Sequence, residues 1–200
     1  QERRAFTQET ASQLKLLETC LSRINDIVIV TEAEPIDEPG PRILYVNDAF
    51  VRRTGYTREE ALGRTPRMLQ GPNTDRVVLD QIYASMRAWQ PCRVELINYT
   101  KAGEQFWIEL DIVPVTNEQG WYTHWVAVER DITARRQAAS AIEESERMAQ
   151  ATLDALPSPV CVLDESGFIK ATNLAWRAFA DDNGGNSLLS SERSEERRVG

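Results

Sequence analysis

Leu14, Leu17, Leu21 and Ile24 recur at steps of three and four in a segment free of Gly and Pro. That spacing predicts a helix with one apolar stripe. DIVIV (26–30) and PRILYVN (41–47) are short apolar runs on either side of an acidic, proline-bearing loop, and they read as two paired strands. NDAFVRRTGY then predicts a short helix closed at Gly55, and Thr57 with Glu60 has the spacing of a capping box. Thr65 is placed to cap a helix that begins at Pro66, and Asn73 or Thr74 to cap the next, whose apolar face is Val78, Leu79, Ile82 and Met86.

From Arg93 the period changes from helical to alternating. RVELINYT, EQFWIELDIVPV and WYTHWVAVERDIT are three strands rich in aromatic and β-branched residues, separated by the glycine-bearing turns KAGE and NEQG. The expected fold is α+β: a five-stranded antiparallel sheet with short helices on one face and a pocket between the two layers, flanked by N-terminal and C-terminal linker helices.

Beyond Thr133 the composition favours helix, with a weak heptad seam of Arg135, Ala138, Ile142, Ser145, Ala149, Thr152 and Leu156. PVCVLDESGFIKATNLAWRAFADD then repeats the earlier order of strand, glycine turn, strand and helix, echoing residues 27–54. Roughly 40 residues are too few to bury a core of this type. The expected organisation is an N-terminal helix or linker (1–25), the α+β domain (26–133), a linker helix forming a weak coiled coil (134–156), a partial second domain (157–185) and a charged, disordered tail (186–200).

Charge and cysteine content narrow the function classes. Of 200 residues, 31 are acidic and 23 basic, a net charge of −8. Such a chain is repelled by a phosphate backbone or an anionic membrane surface, which argues against nucleic acid as a partner. No run approaches the length needed to cross a bilayer, and Cys20, Cys92 and Cys161 are odd in number, far apart and without nearby histidines. A reducing, cytoplasmic setting is expected, with neither a disulfide framework nor a metal site.

Four segments, YVNDAFVRRTGY, GRTPRMLQGPNTDR, VELINYTKAGEQFW and WVAVERDIT, occur in an order that resembles a PAS sensor domain. Within that superfamily they are similar to the flavin-binding light-oxygen-voltage (LOV) branch. LOV domains bond a cysteine thiol to flavin, at the position where this chain has Pro66, so the resemblance implies that adduct photochemistry is absent. It assigns Arg67 to the flavin phosphate, with Tyr83 at the position of the second phosphate-binding arginine. Gln70 and Asn98 match flavin-contacting positions, Ile108 stands where LOV domains have a second ring-reading asparagine, and Glu129 stands at the position of their flavin-sensing glutamine.

An ionised Glu129 only accepts hydrogen bonds and would face flavin's acceptor atoms unfavourably unless protonated. These substitutions weigh toward no cofactor, with FMN as the alternative. Arg67, Gln70, Asn98 and Glu129 remain the candidate pocket residues, with Gln70 and Asn98 directed inward and bonded to each other or to backbone. Glu60 and Lys101 match a salt bridge over the pocket in LOV domains, here more a surface pair than a gate. Trp107, Trp121 and Trp125 are read as packing residues and His124 as an ordinary histidine.

Asp131 and Thr133, from the DIT that ends PAS cores, are the expected signal relay into the linker helix. No catalytic triad, metal cluster or phosphate loop is visible, so the chain is expected to be non-catalytic. The resemblance implies a signal-transduction module of a bacterial sensor kinase or cyclic-dinucleotide enzyme. It would be a homodimer through its PAS domain and linker helix, with the output domain outside this chain and a small-molecule ligand in the pocket. A photosensor or redox sensor that binds flavin without a cysteine, and a ligand-free dimerisation scaffold, are the alternatives.

Overall fold

Alternating apolar positions give each strand one inward face, and Phe106, Ile108, Leu110 and Ile112 are all buried on the same side of a single long strand. In the computed structural model, which describes residues 25–183, this strand is β4 (Gln105–Thr116). The others are β1 (Ile27–Glu32), β2 (Ile43–Val46), β3 (Cys92–Tyr99) and β5 (Tyr122–Asp131). They form one antiparallel sheet of five strands in the order β2-β1-β5-β4-β3. The first strand thus lies beside the last, with Ile27 opposite Glu129 and Ile29 opposite Ala127.

Four short elements join β2 to β3: α1 (Asp48–Thr54), α2 (Arg58–Ala61), a 3-10 turn (Pro66–Leu69) and α3 (Arg76–Arg87). They cover one face of the sheet, where Phe50, Ala61 and Leu69 share a core with Ile29, Phe106 and Ile108. The fully buried Asn47 fixes the corner between sheet and helices. Its Oδ1 accepts from the amides of Phe50 and Val28, both at 3.1 Å, and its Nδ2 donates to the Asp26 carbonyl at 3.0 Å. Gly55 closes α1 at φ 77°, a conformation that glycine adopts without strain, and the capping box between Thr57 and Glu60 is formed in both directions.

Two expected caps differ. Pro66 opens a 3-10 turn of four residues, and Thr65 makes no side-chain capping bond. The cap of α3 is Asp75, whose side chain accepts from the Val77 amide at 2.8 Å. Thr74 is already engaged, donating to the Ile97 carbonyl at 2.7 Å and accepting from the Gly71 amide at 3.0 Å. Asn73 is spent on Gln105, 3.0 Å away.

The chain separates into two compact units between Arg136 and Gln137. Helix α4 (Thr133–Asp154) begins in the first, and the second adds β6 (Cys161–Leu163), β7 (Ile169–Thr172) and α5 (Leu174–Asp182). Within that unit Asn173 repeats the role of Asn47. It accepts from the amides of Trp176 (2.9 Å) and Val160 (2.8 Å) and donates to the carbonyls of Leu156 (3.2 Å) and Ser158 (2.8 Å).

The expected seam on α4 is shorter than its sequence pattern. Arg135 is committed to Glu95 at 2.9 Å, and Leu156 lies beyond the last helical residue. The N-terminal stripe from Leu14 to Ile24 and the tail from residue 186 fall outside the described residues. No helix among the described residues is long and apolar enough to cross a membrane.

Candidate functional site

The inward-facing residues of β3, β4 and β5 form the floor of a cavity of about 320 Å³, and the 3-10 turn and α3 form its roof. The floor is Leu96 and Asn98 from β3, Leu110 and Ile112 from β4, and Trp125, Ala127 and Glu129 from β5. Each set is spaced by two, as the strand period requires. Leu79, Ile82 and Met86 close the space from α3, and Ile36 and Pro41 reach it from the loop between β1 and β2. The walls are largely apolar, so the few polar groups decide what fits.

The deep polar group is a pair. Asn98 donates through Nδ2 to Glu129 Oε2 at 3.3 Å, and both residues are buried. Glu129 is only 4% exposed, and that burial pushes its carboxyl up from 4.5 to about 7, against the opposing effect of the Asn98 hydrogen bond. Burial thus extends the protonated form well above the ordinary carboxylate range. In its protonated form it offers a hydrogen-bond donor to the cavity, which an ionised carboxylate cannot do.

The mouth is charged. Arg67 lines it, with Nη1 donating to Glu38 Oε1 at 3.1 Å. Tyr83, at the position where LOV domains have a second arginine, donates to Asp37, and Arg87 one helical turn later holds the same carboxylate at 2.8 and 2.9 Å. The bond from Tyr83, and then those from Arg87, hold Asp37 below the usual carboxylate range. Gln70 lines the cavity but is exposed and does not meet Asn98, contrary to the expected inward pairing, because the chain leaves the 3-10 turn at Gln70 in extended geometry. Arg76 is a lining cation that the sequence reading missed. Its spacing with Leu79, Asp80 and Tyr83 on one helical face was the available signal.

The other expected residues separate clearly. Pro66 lines the cavity, and no cysteine among the described residues does. Ile108 is fully buried in the core and takes no part in the lining. Trp125 lines the cavity, Trp107 carries the Arg136 guanidinium 3.8 Å above its ring, and Trp121 stands 73% exposed. His124 Nδ1 lies 2.9 Å from Thr123 Oγ1, and the histidine is not among the lining residues. Glu60 and Lys101 form the expected ion pair on the surface.

Two residues beyond Glu129 the strand leaves the cavity. Asp131 Oδ1 accepts from the Thr133 amide at 2.8 Å, and Oδ2 accepts from Arg53 Nε on α1. Burial raises the Asp131 carboxyl, but hydrogen bonds from Thr133 and Arg53 outweigh it and hold the group below its ordinary value. The Thr133 hydroxyl accepts from the Trp107 amide at 2.9 Å. Glu95 on β3 receives Arg135 at 2.9 Å and Arg136 Nε at 3.2 Å. The first turn of α4 is thus tied to β3, β4 and β5 by side chains.

An apolar slot with a hydrogen-bonding pair at its deep end and a guanidinium at its mouth fits a flat heteroaromatic ring with a polar edge and an anionic tail. A flavin has that form. Asn98 and Glu129 would read the ring edge, and Arg67 would hold the tail. Among the described residues the lining supplies no thiol to bond such a ring.

A family model described as a PAS domain matches residues 25–134, more than half of the chain, and the chain belongs to that family. Among curated relatives it is similar to the nitrogen fixation regulatory protein of Klebsiella oxytoca, with 33% identity over 79% of this chain and 32% of that protein. It is also similar to phototropin-2 of Oryza sativa, at 38% identity over 58% of this chain and 12% of that one. A blue-light-activated histidine kinase of Brucella anthropi is 37% identical over 53% of this chain and 21% of the kinase. The chain therefore spans a third or less of the length of these relatives.

Among solved structures, the LOV domain of a blue-light activated histidine kinase from Erythrobacter litoralis matches with TM-score 0.50 and 26% identity, over 56% of this chain and 99% of that domain. An RNA-binding light-oxygen-voltage receptor matches with TM-score 0.60 and 26% identity, over 72% of this chain and 39% of the receptor. The five-stranded antiparallel sheet with helices is the architecture shared with these neighbours.

Proposed function

We propose that residues 25–134 are the non-catalytic sensory module of a multidomain bacterial regulator, a sensor kinase or an enzyme of cyclic-dinucleotide signalling, acting in the cytoplasm. The state of the cavity sets the geometry of α4, and α4 passes it to an output domain outside this chain. One observation carries this reading: Glu129 faces the cavity and Asp131, two residues on, holds the amide of Thr133 at the start of α4. A ligand moves such a relay only by binding one arrangement more tightly than the other.

Residues 134–149 of α4 are all exposed, and Ile142 is 60% exposed. Two copies paired along Ala138, Ile142, Ser145 and Ala149 would cover it. A seam of small residues changes register or rotation at low cost. The hairpin and helix from Cys161 to Asp182 serve as the opening of a second domain of the same kind. Replacing Ala138, Ser145 and Ala149 by Leu in the parent protein is expected to lock output in one state whatever the signal. An unaltered signal response in that variant overturns the reading.

A second reading is favoured by the pairing of Asn98 with Glu129 at the deep end and Arg67 at the mouth. In it the cavity holds a flavin-class ring, such as that of FMN, without a thiol bond. Absorption spectroscopy of freshly purified protein, with mass spectrometry of whatever heat releases, tests it. A flavin spectrum supports this reading; a colourless protein that takes up no added FMN overturns it.

A further inference from the structure

Three aromatic rings form a column leading away from the cavity wall. Trp125, 2% exposed, lines the cavity, and its Nε1 donates to the Ala33 carbonyl at 3.1 Å, which fixes the ring plane. Trp89 lies against it, with ring centroids 5.3 Å apart and planes within 5°. Tyr122 lies on Trp89 at 4.3 Å and 4°, and it is 41% exposed. The three rings therefore run in parallel from the cavity wall to solvent.

The middle ring is held at a cost. Trp89 has φ 53°, the one positive φ at a non-glycine residue among the described residues. For a residue with a Cβ, that conformation costs about 1–2 kcal/mol. The backbone after α3 is thus bent so that an indole sits between two other rings. Burial alone would be served equally well by a phenylalanine or a leucine. Indole and phenol differ from those in carrying a polar hydrogen and in giving up a single electron readily.

We propose that Trp125, Trp89 and Tyr122 are an electron path between the cavity and solvent, serving a redox-active ring of the flavin class; this rests on the second reading above. With such a ring bound and under blue light, Trp125 in the cavity wall would supply one electron, Trp89 would refill Trp125, and Tyr122 would refill Trp89. Electron transfer falls steeply with separation, and stacked rings at these centroid distances leave no gap for it to cross. Tyr122 releases its phenolic proton to water as it is oxidised. A thiol reductant in solution then returns one hydrogen atom to the Tyr122 oxygen and becomes a thiyl radical. Each hydrogen atom taken from thiol thus delivers one electron inward and one proton to water.

The test uses the full chain loaded with FMN and illuminated without oxygen, in its native form and as Trp89→Phe and Tyr122→Phe. Electron paramagnetic resonance of the native protein is expected to show a tyrosyl radical that is lost in both variants. Bleaching of the flavin's blue band in the presence of dithiothreitol is expected to slow in the same two variants, and Trp89→Tyr is expected to restore it. The unloaded protein provides a separate reading, because the coupled near-ultraviolet circular dichroism of Trp89 and Trp125 should disappear in Trp89→Phe. Equal FMN binding and equal bleaching in all forms overturn the electron path and leave the flavin reading standing. Failure of every form to hold FMN overturns both.

Discussion

Asn98 on β3 reaches over β4 to donate to Glu129 on β5 across 3.3 Å, so the buried carboxyl of this domain is held by a strand that does not pair with its own. A carboxyl so placed ties both stability and cavity chemistry to pH.

Glu129 should make the protein less stable as pH rises. Its proton is held more tightly in the folded state, with a pKa of about 7 against the ordinary 4.5. Between those values the folded state binds more protons than the unfolded one, so stability falls as pH increases and levels off above about 7. The difference corresponds to roughly 3 kcal/mol. Glu129→Gln should abolish this decline and be the more stable protein at pH 8, as measured by urea unfolding across the pH range. An unchanged slope between pH 5 and 7 would count against a raised Glu129, at about the precision of such titrations.

Asn98→Ala should raise the Glu129 pKa further. The Asn98 hydrogen bond is the influence that lowers it, and without that bond only the effect of burial remains. Infrared spectroscopy of the carboxyl C=O band, titrated with pH, reads the midpoint directly. The midpoint should move above its native value of about 7; a fall would contradict the assigned pair.

Gly71→Ala should destabilise the domain by about 1–3 kcal/mol, the usual cost of overpacking. A Cβ at residue 71 would stand 2.4 Å from ring carbons of Tyr99. Moving that ring breaks the bond from the Asn73 amide to Tyr99 Oη, 3.0 Å long. Denaturant unfolding measures the loss, and Tyr99→Ser in the same chain should recover part of it.

Arg136→Ala should loosen the start of α4 with little change in overall stability. It removes an exposed ion pair with Glu95 and a guanidinium stacked 3.8 Å above Trp107. Each is worth about 1 kcal/mol or less at an exposed position. Hydrogen exchange at the amides of residues 134–138 should accelerate. The Glu95 carboxyl should rise toward its ordinary value, since the Arg136 hydrogen bond is the main influence holding it down.

The sheet was legible because its signals are local. Alternation from Phe106 to Ile112, the glycine turns, and the Thr57 and Glu60 spacing each act within a few residues. The caps of the third and fourth helical elements were harder, because Thr74 and Asn73 have better partners on other strands, leaving Asp75 to cap α3. Gln70 and Asn98 were grouped by resemblance, yet only Asn98 turns inward to its partner, Glu129. The aromatic column was invisible beforehand, since Trp89 meets Tyr122 and Trp125 only once the last strand has been laid down.

Asn47 and Asn173 point to how such chains diversify. Each corner is built from main-chain amides and carbonyls plus one carboxamide, so it makes almost no demand on the lettering around it. The interior beside such a corner can be rewritten for a new guest, or for none, while a single carboxamide keeps the frame square.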